Sequence, residues 1–177
     1  MAICTQLLID LYEIDTVINT GVAGSLNNAL DIGDIVLSSC AQQHDMDVSP
    51  LGDPVGIIPR MDTSIFPADE SVVTLAKAAC EKANPDIRCH IGKIVSGDQF
   101  IASAEKKDYL IETFRGDCAE MEGAAMAQTA YLNQVPFLII RAISDKADNS
   151  GHMDYSVFAR QAITHTVNLL EEMYRRL

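Results

Sequence analysis

Strands alternating with helices along the chain predict an α/β fold in which helices flank a largely buried sheet. Three observations carry that expectation. The run Val135–Ile143 (VPFLIIRAI) is almost continuously apolar and β-branched, as a strand covered on both faces must be. Several stretches with apolar residues at a period near 3.6 separate it from other short apolar runs. A chain of 177 residues, 48% apolar and 21% charged, has the size of one domain with a sizeable core, expected to span residues 1–177.

Each element follows from its own pattern. Ala2–Tyr12 spaces Ile3, Leu7, Leu8 and Leu11 at helical intervals, with no cap before it. Thr16–Asn19 reads as a short buried strand entering a glycine turn at Gly21–Gly24, and Asp34–Ser38 as a second strand after a turn-rich link. His44–Pro67, rich in Pro, Gly and Asp and without periodicity, predicts a long surface loop. Asp69 opens a helix through Val72, Val73, Leu75, Ala76 and Ala79 that Asn84 and Pro85 stop; Cys89–Val95 then resumes as strand. Ser103 has the chemistry of a helix cap before Leu110, Ile111 and Phe114. Met121–Tyr131 favours helix through its Ala, Met and Gln content, and a last helix is expected from about Ser156 to Arg176. No repeat, low-complexity tract or linker interrupts the series.

Charge and cysteine content narrow the function classes. Thirteen Lys and Arg against 25 Asp and Glu give a net charge of -12, which repels phosphate backbones and anionic headgroups, so nucleic acid and membrane are not expected partners. Five scattered cysteines without a C-x-x-C pair fit free thiols in a reducing cytosol. No apolar run reaches the roughly 20 residues of a membrane span, and the apolar N-terminal stretch is broken by Asp10 and Glu13, so a cytoplasmic location is expected.

Ligands of open α/β sheets collect where strands end and loops begin, which directs attention to 21–26, 96–102, 119–123 and 141–148. Arg141 lies inside the apolar strand and Ser144 and Asp145 at its end; they make either a structural ion pair and a turn cap, or a general acid in a cleft. Glu120 and Glu122 stand where a helix begins, either as favourable charge at its N-terminus or as a carboxylate accepting from a vicinal diol. Asn19–Leu26 is glycine-rich yet lacks the G-x-G-x-x-G pattern and a following helix, so it is not a dinucleotide turn. No Lys or Arg precedes Arg60, which favours hydrolysis over phosphorolysis at that loop. His44-Asp-Met-Asp47 reads as a solvated loop rather than a metal site. Phe100 and Ile101 are either core or a platform and backbone edge for a flat base.

INTGVAGSL at Ile18–Leu26, GDIVLSS at Gly33–Ser39, IVSGDQFI at Ile94–Ile101, EMEGAAMA at Glu120–Ala127 and RAISDKAD at Arg141–Asp148 together resemble, in order and spacing, the 5'-methylthioadenosine/S-adenosylhomocysteine nucleosidases. The resemblance implies a three-layer, mixed-sheet, nucleoside phosphorylase-like fold, usually a homodimer, that cleaves adenine from a 5'-thio-substituted ribose with water and without a cofactor or metal. It implies that Asp145 protonates the leaving base with Ser144 orienting it. Glu122 and the Met121 backbone then hold the ribose, Phe100 stacks on adenine and the Ile101 backbone reads its edge. Arg141 takes the place of the residue that helps position the water, and Tyr155 that of an aromatic at the 5'-thio pocket. Val22 and Gly24 lie in the substrate loop, Val22 where many members carry Ser. Members of the family begin with strands that this sequence lacks, one of them bearing a Glu that orients the attacking water. An adenine-nucleoside-binding fragment and a phosphate-dependent phosphorylase are the alternatives.

Overall fold

A computed structural model describes residues 1–147 and 151–176, with side chains in the last helix from residue 162 onward. Six strands, β1 (Val17–Ser25), β2 (Ile35–Gln43), β3 (Ile65–Pro67), β4 (Cys89–Ser96), β5 (Cys118–Glu120) and β6 (Phe137–Asp145), are flanked by five helices. The helices are α1 (Ala2–Tyr12), α2 (Glu70–Ala83), α3 (Ala104–Phe114), α4 (Gly123–Leu132) and α5 (Gly151–Tyr174).

The sheet is mixed and runs in the order β3-β2-β4-β5-β1-β6. One edge of β2 pairs along its length with β4, while the other is divided: Ile35–Leu37 pair antiparallel with β6 and Cys40–Gln42 with β3. The β2–β6 seam therefore closes five strands into a ring, and β3 continues the sheet outside it. Closure accounts for the apolar run that singles out the last strand: all nine residues of β6 are buried, between β1 and β2 at its edges and helices over its faces. Each fully buried Leu or Ile there contributes about 1.5–3 kcal/mol of hydrophobic stabilisation.

Helix ends follow the local chemistry. Asp69 caps α2 by accepting from Ser71 N at 2.9 Å and Val72 N at 3.0 Å, and Ser103 caps α3 by accepting from Lys106 N at 3.2 Å. The side chain of Asn84 closes the far end of α2 by donating to the His165 carbonyl of α5 at 2.9 Å.

Three expectations are corrected. The glycines after Asn19 do not turn; β1 continues through them to Ser25, because Val17–Ala23 stay in parallel register with Phe137–Ile143 and the ladder shifts only at Gly24. The segment 44–67 is not a solvated loop throughout, since it contains a 3-10 turn at Ser49–Leu51, ends in β3 and buries Phe66 fully. His44 is also interior, at 1% exposure: its N–H donates to the Ser96 carbonyl at 2.8 Å, and its ring lies over Gly97, where a Cβ would come within 2.6 Å of Nε2.

Candidate active site

The C-terminal ends of β1, β5 and β6 and the loop after β4 enclose a cavity of about 480 Å³. β1 contributes Val22, Ala23 and Gly24; the loop after β4 contributes Gln99, Phe100 and Ile101. β5 and the turn after it supply Ala119, Glu120, Met121 and Glu122, and β6 ends in Ser144 and Asp145. Among the described residues the lining holds three carboxylates and neither Lys nor Arg. All four segments singled out in the sequence meet here, and Glu122 and Asp145 share the one cavity.

Asp145 is 2% exposed and held by both oxygens. Oδ1 accepts from Ala147 N at 2.8 Å and Oδ2 from the Ser144 hydroxyl at 2.9 Å. Gly24 faces this carboxyl so closely that a Cβ would sit 2.8 Å from Oδ1 and 2.9 Å from the Ala147 methyl. The bare Cα is thus a requirement of close approach.

Opposite stands a buried network centred on Glu120. Its carboxylate accepts from Gly123 N at 2.8 and 3.0 Å, from Glu122 N at 3.2 Å, from the Ser96 hydroxyl, and from Nε of Arg141 at 3.1 Å as well as from Nη2. Both side chains of the Glu120–Arg141 pair are 2% exposed. Arg141 also donates to the Asn19 side chain at 2.5 Å and to the Ile140 carbonyl at 3.1 Å, so its desolvated guanidinium is paired and hydrogen-bonded. Its Nη2 stands 3.9 Å from Glu122 Oε2, yet Arg141 lies beneath the cavity rather than among its lining residues.

Glu122 stands at the N-cap position of α4 without a capping bond from its side chain, which is half-exposed and opens into the cavity. The buried anchor and the accessible carboxylate are therefore different residues of one pair. Glu120 satisfies the free N–H groups at the start of α4, and that fixes the backbone from which Glu122 projects. Phe100 is half-exposed on one wall and Ile101 is 7% exposed, packed into a second apolar cluster with Leu26, Val95, Leu110, Phe114, Ala119 and Ala147. Met121 lines the cavity at 41% exposure. Tyr155 falls within α5, but its side chain lies outside the described residues, as does Asp148.

The hub role of Glu120, with Ser96 and Asn19 as its supports, was not legible in the sequence. β5 is three residues long and gives no periodicity, so only the small residues after Glu120 hinted that one acid turns inward. Among the described residues no group of His, Cys, Asp or Glu has the arrangement of a metal site. No described helix is long and apolar enough to cross a membrane.

A profile of the phosphorylase superfamily matches residues 1–175. The chain is also 38% identical over 177 residues to the 5'-methylthioadenosine/S-adenosylhomocysteine nucleosidase of Staphylococcus carnosus, covering 99% of itself and 76% of that protein. The chain belongs to the phosphorylase superfamily, within its methylthioadenosine/adenosylhomocysteine nucleosidase family. Two solved structures superpose on this family member with a TM-score of 0.93. One is the Neisseria meningitidis nucleosidase in complex with methylthio-immucillin-A, 34% identical, covering 99% of this chain and 76% of that one. The other is the futalosine hydrolase of Helicobacter pylori, 33% identical, covering 99% and 74%. The fold is thus the mixed α/β architecture of that nucleosidase family, with the cavity where its strands end.

Proposed function

We propose that this nucleosidase family member hydrolyses the N-glycosidic bond of 5'-methylthioadenosine and S-adenosylhomocysteine, with Asp145 as general acid and Glu122 holding the ribose. One observation carries the assignment of roles: the two carboxyl groups line a single cavity of about 480 Å³ whose lining, among the described residues, has no basic side chain. Departure of adenine leaves its bonding electron pair on the base and an oxocarbenium-like sugar. A proton passed from Asp145 to N7 neutralises the base as the C1'–N9 bond breaks, and water adding at C1' completes the hydrolysis and returns a proton to the site. Negative charge on Glu120 and Glu122 favours the cationic sugar.

Glu122 and the Met121 backbone hold the ribose hydroxyls, while Phe100 stacks on the base, Ile101 presents its backbone to the base edge, and Val22 and Gly24 form the wall beside the sugar. Ser144 orients Asp145. Arg141 acts from beneath by holding Glu120 and standing close to Glu122, which sets the environment of the attacking water. Tyr155 serves the 5'-thio end. A single domain, a cytoplasmic homodimer and a place in methionine salvage belong to the same reading. The hydrolytic part of it is supported by the names of the relatives and by a lining that, among the described residues, offers a phosphate co-substrate no Lys or Arg.

The test is release of free adenine from 5'-methylthioadenosine, with and without phosphate. Phosphate-independent release that Asp145→Asn abolishes, in a variant that still folds, is the expected outcome. Turnover that requires phosphate would make the protein a phosphorylase, adenine binding without release would make it a binder, and undiminished turnover in Asp145→Asn would remove the acid.

A further inference from the structure

We propose that Lys107 is a positioning residue for the Asp145 carboxyl group, acting through the peptide bond between residues 146 and 147. The inference rests on the reading of Asp145 as the general acid. Lys107 sits on α3 at 8% exposure, and among the described residues it forms no ion pair. An ammonium withdrawn from water without a counterion is costly, and a Met or Leu would fill the same space without that cost. Among the described residues it makes a directed bond instead: Nζ donates to the Lys146 carbonyl at 2.7 Å.

The other side of that same peptide faces the site. Its N–H, on Ala147, donates to Asp145 Oδ1 at 2.8 Å. A cationic donor on the carbonyl draws electron density from the amide and makes the N–H a stronger donor, so Lys107 both fixes the peptide plane and strengthens its grip on the carboxyl. The geometry needs holding. Ala147 adopts φ 52°, a left-handed conformation that costs a non-glycine residue stability. The Lys146 side chain secures the neighbouring position by donating to the Leu30 carbonyl at 2.5 Å, and the Ala147 methyl packs among α3 side chains and against Gly24.

The Ala147 N–H on Oδ1 and the Ser144 hydroxyl on Oδ2 together fix the plane of the carboxyl group. Without Lys107 the peptide is held from one side only. The carboxyl then loses its fixed plane, a fault felt in the bond-breaking step more than in substrate capture.

Lys107→Met and Lys107→Arg, with the wild-type chain and Asp145→Asn alongside, test this through steady-state adenine release and thermal unfolding. Lys107→Met is expected to lower kcat about tenfold or more with KM within about twofold, and Lys107→Arg, which keeps a charged donor, to recover most of the loss. Lys107→Gln, a neutral donor, is expected to fall between them and replaces Lys107→Met should that variant not fold. Unchanged kcat in a wild-type chain that Asp145→Asn inactivates overturns this inference alone. Equal losses in Met and Arg variants with lowered unfolding temperatures would assign Lys107 to packing and overturn it as well. A wild-type chain that releases no adenine, or an active Asp145→Asn, removes the general-acid reading and this inference with it.

Discussion

At the scale of single residues the site depends on absences as much as on functional groups. Gly24 has no Cβ because that space belongs to the Asp145 carboxyl and the Ala147 methyl, so Gly24→Ala is expected to displace the acid and lower kcat by about tenfold or more. Adenine-release assays check it, and an unchanged kcat would show that the carboxyl can yield without loss. The Glu120–Arg141 pair is a different kind of dependence. Removing one partner strands the other charge in the interior, so Arg141→Met is expected to destabilise by about 3–5 kcal/mol, read from chemical denaturation. That Asp145, Ser144, Phe100, Ile101 and Glu122 come to one cavity was legible in the sequence because strand ends and the loops after them gather at one edge of an α/β sheet. The inward turn of Glu120 was not, since a three-residue strand leaves no pattern to read, and neither was the burial of His44, which depends on Gly97 coming from a distant strand end to make room for its ring.

Among the elements, the helix signals were read well because they are local. Asp69 and Ser103 both cap as their side-chain chemistry dictates, and Asp69→Ala is expected to cost about 1 kcal/mol of stability, measured as a shift in denaturation midpoint. Ser103→Ala is expected to cost less, because its single 3.2 Å bond is longer than the two that Asp69 accepts. Two strands, β1 and β2, were read too short for the opposite reason. β1 runs six residues past Asn19 because β6 is there to pair with it, and glycines that signal a turn in isolation become strand when a neighbour supplies the ladder. β3 was missed inside the segment 44–67 for the same reason, being held by Cys40–Gln42 of β2 rather than by any property of its own three residues.

For the molecule as a whole, the pairing of β2 with β6, which no local pattern announces, decides the architecture, and among the groups that shape the response to acid His44 and Glu172 act in different pH windows. Burial pushes the His44 imidazole below the usual histidine value of 6.5, partly opposed by Asp45, with Lys106 adding to the depression and the more distant Glu120 opposing it. Because the unfolded chain then binds the proton more readily, stability is expected to fall as pH drops below 6.5 toward the lower folded value, and His44→Phe should flatten that limb. Glu172 behaves in the more familiar sense. Hydrogen bonds from Lys82 and then Arg176 hold its carboxyl down at about 2, so the stability it supplies is present above 4.5 and lost as pH falls through 4.5 toward 2. Denaturation midpoints followed across both windows separate the two, with Lys82→Met weakening only the lower one. The seam between Ile35–Leu37 and Ile140–Ala142 has a last consequence in time rather than in space. It joins stretches more than a hundred positions apart, as does the pairing of β1 with β6 that brings Gly24 to Asp145, and such joins are slow to bring about in a growing or refolding chain. Competence to take up a small molecule should therefore lag behind helix formation in a refolding trace and arrive together with the last protection of β1 and β6 amides.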